Sequence, residues 1–243
     1  MKLLTKPGRY KSREFLAEGF LINQELFNSK KYKPEFVVIS KESNQEIISL
    51  SKKFFSKGIE VFLTEKSDFL KLCDAQTPQP IISIVKMIEG SVEKNEPFIA
   101  LDGVADPGNM GAIIRTADWF GFRNILLGKN CVDQYSPKVI RSAMGSFFHC
   151  NIIFDNNLPE FIQNNYIEFE CYGATLEAKK DIEDCKPSRK FGIVIGSETM
   201  GISKNLRKIL SYEYKIFGKG QAESLNASIA AGISMYHFSK YIE

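Results

Sequence analysis

The sequence predicts an α/β protein in two parts, a small N-terminal α/β domain and a larger C-terminal domain built on a parallel sheet covered by helices. Three observations predict it. Strand-length apolar runs alternate with helix-length stretches along nearly the whole chain. The polar run 89–96 (EGSVEKNE) interrupts that alternation once and divides it into two series. The 243 residues, 44% hydrophobic and 25% charged, provide enough apolar mass for one large core or two modest ones.

In the first series, Phe15, Leu16, Phe20, Leu21 and Leu26 read as an amphipathic helix over 12–28, interrupted near Gly19. A buried strand follows at 35–40, after Pro34, then a helix at 45–56, Gly58 and a strand at 59–63. A helical turn at 67–72 leads through Thr77-Pro78-Gln79-Pro80 to a strand at 81–85. The domain read from this is 1–88, with 89–96 as linker and 97–243 as the second domain.

The second series begins with strand 98–101 and helix 110–120, then strand 124–127 and a helix over 137–145. Strand 151–154 and helix 158–165 come next, followed by strands 169–174 and 191–195, helix 203–210, strand 214–217 and a last helix 224–238. Repeated βα units over about 150 residues require parallel strands with both faces covered.

Several function classes drop out on composition. The longest apolar runs fall far short of the roughly 20 residues of a membrane span, and the N-terminus lacks a signal-peptide core, so a cytoplasmic protein is expected. Five cysteines without a C-x-x-C pair and only two histidines, His149 and His237, argue against a zinc site, a disulfide framework or histidine chemistry. No metal is expected. Net charge is +3, but it is uneven. Residues 1–88 carry 15 basic and 10 acidic side chains, and residues 89–243 carry 17 and 19. A basic N-terminal part suits a polyanion such as RNA, and it equally describes a lysine-rich solvated surface.

Three segments hold candidate chemistry, each a strand running into a glycine-bearing turn and a helix. In the first (LDGVADPGNMGAIIR, 101–115), Asn109 occupies a helix N-cap position, and Arg115 interrupts an apolar stretch. Arg115 either pairs with an acid such as Asp118 or presents its guanidinium fork to a phosphate or ribose. In the second (FGIVIGSETMGIS, 191–203), the spacing Gly-x-x-x-x-Gly lacks the Lys-Ser/Thr of a phosphate loop. Glu198 there reads as a helix-terminus carboxylate, or as the residue that fixes a substrate or Arg115. In the third (YKIFGKGQAESLNASIAAG, 214–232), Glu223 stands where a dinucleotide fingerprint needs its third glycine, and Ser224 reads as an N-cap. Strand ends of one open α/β sheet meet at its carboxyl edge, where ligands bind. A nucleotide-like ligand without a phosphate loop fits all three.

These segments resemble, in order and spacing, motifs 1, 2 and 3 of the SpoU/TrmH ribose methyltransferases of the SPOUT superfamily. The likeness rests on Asp106-Pro107-Gly108-Asn109-Met110-Gly111 through Arg115, on Gly196-Ser197-Glu198 with Gly201-Ile202-Ser203, and on Ser224-Leu225-Asn226 with Ser228 and Ala230. The stretch 141–146 (RSAMGS) resembles a further family segment. Residues 11–19 and Thr77-Pro78-Gln79 are similar to the family's ribosomal-protein-like RNA-binding domain.

The resemblance implies a C-terminal trefoil knot and S-adenosyl-L-methionine as cofactor, held by backbone groups of Gly196, Ile216 and Leu225. It implies Arg115 as the central catalytic residue, with Asn109, Glu198, Ser224 and Asn226 shaping the site. It also implies a homodimer whose substrate is structured RNA, ribosomal more readily than transfer RNA because a separate N-terminal domain is present. Phe217 departs from the family's usual proline after the isoleucine of motif 3. A guanidinium is charged at all ordinary pH, so two roles stand open for Arg115: a base altered by an RNA phosphate, or a cation that stabilises the developing alkoxide. Two other readings remain beside the methyltransferase. One is a catalytically silent RNA-binding protein of the same fold. The other is a nucleotide-dependent oxidoreductase or Rossmann-type base methyltransferase, which the missing third glycine disfavours.

Overall fold

Two sheets organise the chain, one in each of two units, in a computed structural model that describes residues 2–242. The first unit starts with α1 (Lys6–Ser12), β1 (Glu14–Glu18), α2 (Phe20–Asn28), β2 (Pro34–Ser40) and α3 (Gln45–Ser56). It continues with β3 (Glu60–Thr64), α4 (Lys66–Leu70) and β4 (Ile81–Lys86). The sheet order is β1-β4-β2-β3; β4 runs antiparallel to both neighbours, and β2 and β3 run parallel. Alternation along β2 assigns its faces. Val37 and Ile39 pack with Ile47, Leu50 and Phe54 of α3, whereas Val38 packs with Phe69, Ile82 and Ile84 on the other side.

The long helix expected over 12–28 is instead α1, β1 and α2. Arg13 takes a left-handed conformation (φ 58°) and ends α1. Phe15, Leu16 and Ala17 are buried in succession in β1, followed by the buried carboxylate of Glu18, so unbroken burial stands there rather than helical periodicity. Gly19 (φ 104°) then turns the chain into α2, a conformation that side chains rarely adopt.

The second unit contains β5 (Phe98–Asp102), α5 (Pro107–Trp119) and β6 (Asn124–Leu127). The chain then contributes α6 (Pro137–Ser142) and resumes with β7 (Asn151–Phe154), α7 (Leu158–Asn165), β8 (Glu170–Ala174) and β9 (Phe191–Gly196). It finishes with α8 (Lys204–Arg207), β10 (Tyr212–Tyr214) and α9 (Ala227–Phe238). All six strands are parallel, in the order β10-β8-β9-β5-β6-β7. Central β5 and β9 are apolar throughout their buried length, as strands covered on both faces must be. Several elements are shorter than expected, among them the helix placed over 137–145, which is α6 and ends at Ser142. The strand placed at 214–217 is β10, which ends at Tyr214; the helix placed at 203–210 is α8; and the last helix starts at Ala227 rather than 224.

The division into units differs from the sequence reading in one place: Asp133–His149 clusters with the first 88 residues. Its aromatic side chains account for this. Tyr135 and Phe147 lie 5.1 and 5.6 Å, centroid to centroid, from Phe15, and Phe147 and Phe148 pack on Tyr32. Asp133 also accepts two hydrogen bonds, at 3.0 and 2.5 Å, from the buried guanidinium of Arg9. A buried cation needs such a partner.

Among the described residues no helix is long and apolar enough to cross a membrane, and no three His, Cys, Asp or Glu side chains gather as metal ligands. No disulfide forms among the described residues. Burial pushes the thiols of Cys73 and Cys171 up to about 12 and that of Cys185 to about 11, which keeps them neutral.

Candidate active site

From β5 the second sheet grows outward through β6 to β7, and the chain then returns to the other side through β8 and β9. The direction reverses between β5 and β9, which pair in register down to Asp102 opposite Gly196. Turns leaving these two strand ends therefore open side by side, at the position where open α/β sheets bind ligands.

The first turn is fixed by Asp106. Its side chain accepts from the Asn109 backbone N–H at 2.8 Å and caps α5, with Pro107 in the first helical turn. The cap is thus Asp106, not Asn109. Asn109 sits in the first turn of the helix with its amide side chain available.

The second turn closes on itself. Ser197 and Gly201 form an antiparallel bridge, and the Met200 N–H donates to Ser197 Oγ at 3.1 Å. A Cβ on Gly196 would lie 2.1 Å from the Gly201 carbonyl carbon, so the turn folds back over a position that only glycine can fill. Asp102 Oδ2 accepts from the Ser203 N–H at 2.7 Å and clamps the far end of the turn to β5.

The third segment reaches the same place through Asn226. Its Oδ1 accepts from the N–H groups of Ser228 (2.9 Å) and Ile229 (3.4 Å) and caps α9. Ser224, expected as that cap, is exposed and lies outside the helix. Asparagine wins because the helix begins at Ala227.

One hydrogen-bond chain joins the three segments. Asn226 Nδ2 donates to Asn109 Oδ1 at 3.0 Å, and Asn109 Nδ2 donates to Glu198 Oε1 at 2.5 Å. The Ala227 N–H donates to the same Glu198 oxygen at 3.4 Å. Both amide orientations follow from chemistry. The oxygen of Asn226 is taken by helix N–H groups, so its NH2 must face Asn109, whose NH2 must then face the carboxylate. Glu198 Oε2 has no partner among the described residues.

Other expected site residues stand outside this junction. Arg115 lies six residues past Asn109 on α5, about 9 Å further along the axis. It is exposed and makes no hydrogen bond or ion pair among the described residues; the alternative of a pair with Asp118 is not formed. Ile216 is half-buried, and Leu225 is 42% exposed. Between β10 and α9, residues 216–225 form no backbone hydrogen bond to the chain among the described residues. Their N–H and C=O groups are therefore open to a ligand, the donor set that an adenosine and an amino-acid moiety would use. Ile216 and Leu225 fit such a cofactor in that sense, whereas Gly196 ends β9 and is paired there with Asp102.

Sequence reasoning missed Asp102 and Asp106. The second was signalled by Asp before Pro, a cap-then-first-turn pattern; an acid at a strand end gives no such signal.

Comparisons agree with this architecture. The profile of the SpoU rRNA Methylase family matches residues 96–236, and that of the MRM3-like substrate binding domain matches residues 1–83. The 23S rRNA (guanosine(2553)-2'-O)-methyltransferase RlmP of Bacillus subtilis is 31% identical over 97% of this chain and 92% of its own length. An AdoMet-bound rRNA methyltransferase from Sinorhizobium meliloti superposes with a TM-score of 0.87 at 25% identity, covering 99% of this chain and 92% of that one. A putative TrmH-family RNA methyltransferase from Porphyromonas gingivalis gives 0.84 at 28% identity, over 97% and 93%. With its fold, its three joined motifs and these matches together, the chain belongs to the SpoU rRNA methylase family.

Proposed function

We propose that this protein transfers the methyl group of S-adenosylmethionine to a ribose 2′-hydroxyl of ribosomal RNA in the cytoplasm. The junction of Asn109, Glu198 and Asn226 carries the reading, because it ties three glycine-bearing turns together beside an open backbone segment. The names of the Bacillus and Sinorhizobium relatives support the chemistry and the RNA class.

When bound, the cofactor supplies an electrophilic methyl group on a positively charged sulfur. The chain supplies position and charge. Most of the barrier to in-line attack can be removed by holding the reactants in the right geometry, and a junction whose amides are locked by their own hydrogen bonds suits that task. Glu198 keeps one carboxylate oxygen for substrate or cofactor. Arg115 acts in this reading as the cation beside the ribose oxygen and stabilises the negative charge that builds as the proton leaves. A base role would require the guanidinium to give up its own proton, which it does not readily do.

The same reading includes a trefoil-knotted path in 97–243 and a homodimer. Large apolar side chains in solvent support the dimer: Ile229, Ile233 and Tyr236 follow helical spacing on α9, and Trp119 on neighbouring α5 is 83% exposed. Sedimentation of wild type against Tyr236→Lys tests it; a monomeric wild type rejects it.

Transfer of tritium from methyl-labelled S-adenosylmethionine to unmodified 23S rRNA, with mapping of the modified ribose, tests the activity. Label at one 2′-oxygen is expected. Label on a base, or no label on ribosomal or transfer RNA, rejects the reading.

A further inference from the structure

Asp102 is the last residue of β5, and no step of the reaction proposed above uses it. Its backbone stands opposite Gly196, where the turn that carries Glu198 begins. Its side chain reaches the far end of the same turn, where Oδ2 accepts from the Ser203 N–H at 2.7 Å. One residue thus grips both ends of the segment 197–203.

Between those ends the segment is curled by its own bonds. The Gly201 N–H donates to the Ser197 carbonyl at 2.9 Å, and Gly201 takes a left-handed φ of 62°. Its tip has no packing to hold it, since Glu198, Thr199 and Met200 are all exposed. Ile202 is buried and roots the far end in the core. Apolar burial is not directional, however, and the side chain of Ser203 makes no cap on the four-residue α8. A short hydrogen bond to a carboxylate is directional. The orientation of the turn therefore comes from Asp102.

Glu198 depends on that orientation. Its Oε1 must meet donors from two other segments, Asn109 Nδ2 at 2.5 Å and the Ala227 N–H at 3.4 Å, while Oε2 stays open. Where position supplies the catalysis, a shift of about 1 Å costs on the order of 100-fold. We infer that Asp102 is a positioning residue for methyl transfer, which acts through the 197–203 turn to hold Glu198 on the junction with Asn109 and Asn226. The inference rests on the function proposed above. What the position requires is an acceptor for the Ser203 N–H, and a neutral amide oxygen meets that requirement too.

The test measures single-turnover methyl transfer to unmodified 23S rRNA, affinity for RNA and S-adenosylmethionine, and melting temperature, all on the full-length protein. Asp102→Ala is expected to lower the rate on the order of tenfold while both affinities hold within about threefold. Asp102→Asn keeps an acceptor without the charge and is expected to recover most of the rate. Ser203→Pro removes the donor at a residue whose φ of −61° already suits proline. It is expected to reproduce the alanine loss, and it carries the test if Asp102→Ala does not fold. In a Glu198→Ala background neither change should lower the rate further, because both act through the same carboxylate. Wild-type rates in Ser203→Pro, no recovery with asparagine, or a full additional loss on top of Glu198→Ala each overturn the inference and leave the methyl-transfer reading intact. Failure of the wild type to methylate any RNA rejects that reading instead.

Discussion

The two arms of the active site are built on opposite principles. On the β5–β9 side, Asp102, Asp106, Asn109 and Glu198 each have an intramolecular hydrogen bond, and the turn over Gly196 leaves no room for a side chain. On the β10–α9 side, residues 216–225 make no backbone hydrogen bond at all among the described residues. The difference is instructive because charge-developing chemistry needs fixed dipoles in advance. A ligand held by backbone groups, by contrast, needs a segment whose groups are not already spent. One arm is organised before binding and the other is completed by it.

Variants should separate the arms. Arg115→Ala is expected to have the largest effect, a loss of methyl transfer on the order of 100-fold or more in single turnover, with little change in melting temperature because the side chain is exposed and makes no hydrogen bond or ion pair among the described residues. Arg115→Lys should remain well below wild type; near-wild-type turnover in that variant contradicts the role given to the guanidinium. Next, Glu198→Ala and Asn109→Ala should each cost roughly tenfold or more. The double variant should lose little beyond either single one, since both break the same link; additive losses would show that the junction does not act as a unit.

Gly196→Ala is expected to destabilise the fold by about 1–3 kcal/mol in denaturant unfolding, because the new Cβ meets backbone rather than a movable side chain. Asn226→Ala should cost about 1 kcal/mol through loss of the α9 cap, and Ser224→Ala close to nothing. Equal costs at the two positions would move the cap back to Ser224. The smallest effect is expected in the open arm. Phe217→Pro removes an N–H that bonds nothing in the chain, so stability should hold within about 0.5 kcal/mol and only cofactor affinity should respond.

Much of this was legible in the residues. Strands 98–101, 124–127, 151–154 and 191–195 and helices 45–56 and 158–165 sit where apolar period and length put them. The three motif segments come together at one sheet edge, as their shared strand–turn–helix pattern implied. What escaped has physical causes. β1 is buried along almost its whole length and so shows no alternation to distinguish it from the helices beside it. The caps at Asp106 and Asn226 were misassigned by three and two residues, because several polar side chains near each start could serve and only the helix geometry chooses among them. The grouping of Asp133–His149 with the first 88 residues depends on contacts such as Arg9–Asp133, 124 positions apart, and no local pattern encodes that.

Hydrogen exchange with and without S-adenosylmethionine tests the contrast most directly. The account predicts that the hydrogen-bonded amides of Met200, Gly201 and Ser203 exchange slowly in both states, whereas those in 216–226 exchange fast alone and gain protection on binding. Slow exchange across 216–226 without ligand, or protection gained only elsewhere while methyl transfer proceeds, would contradict it.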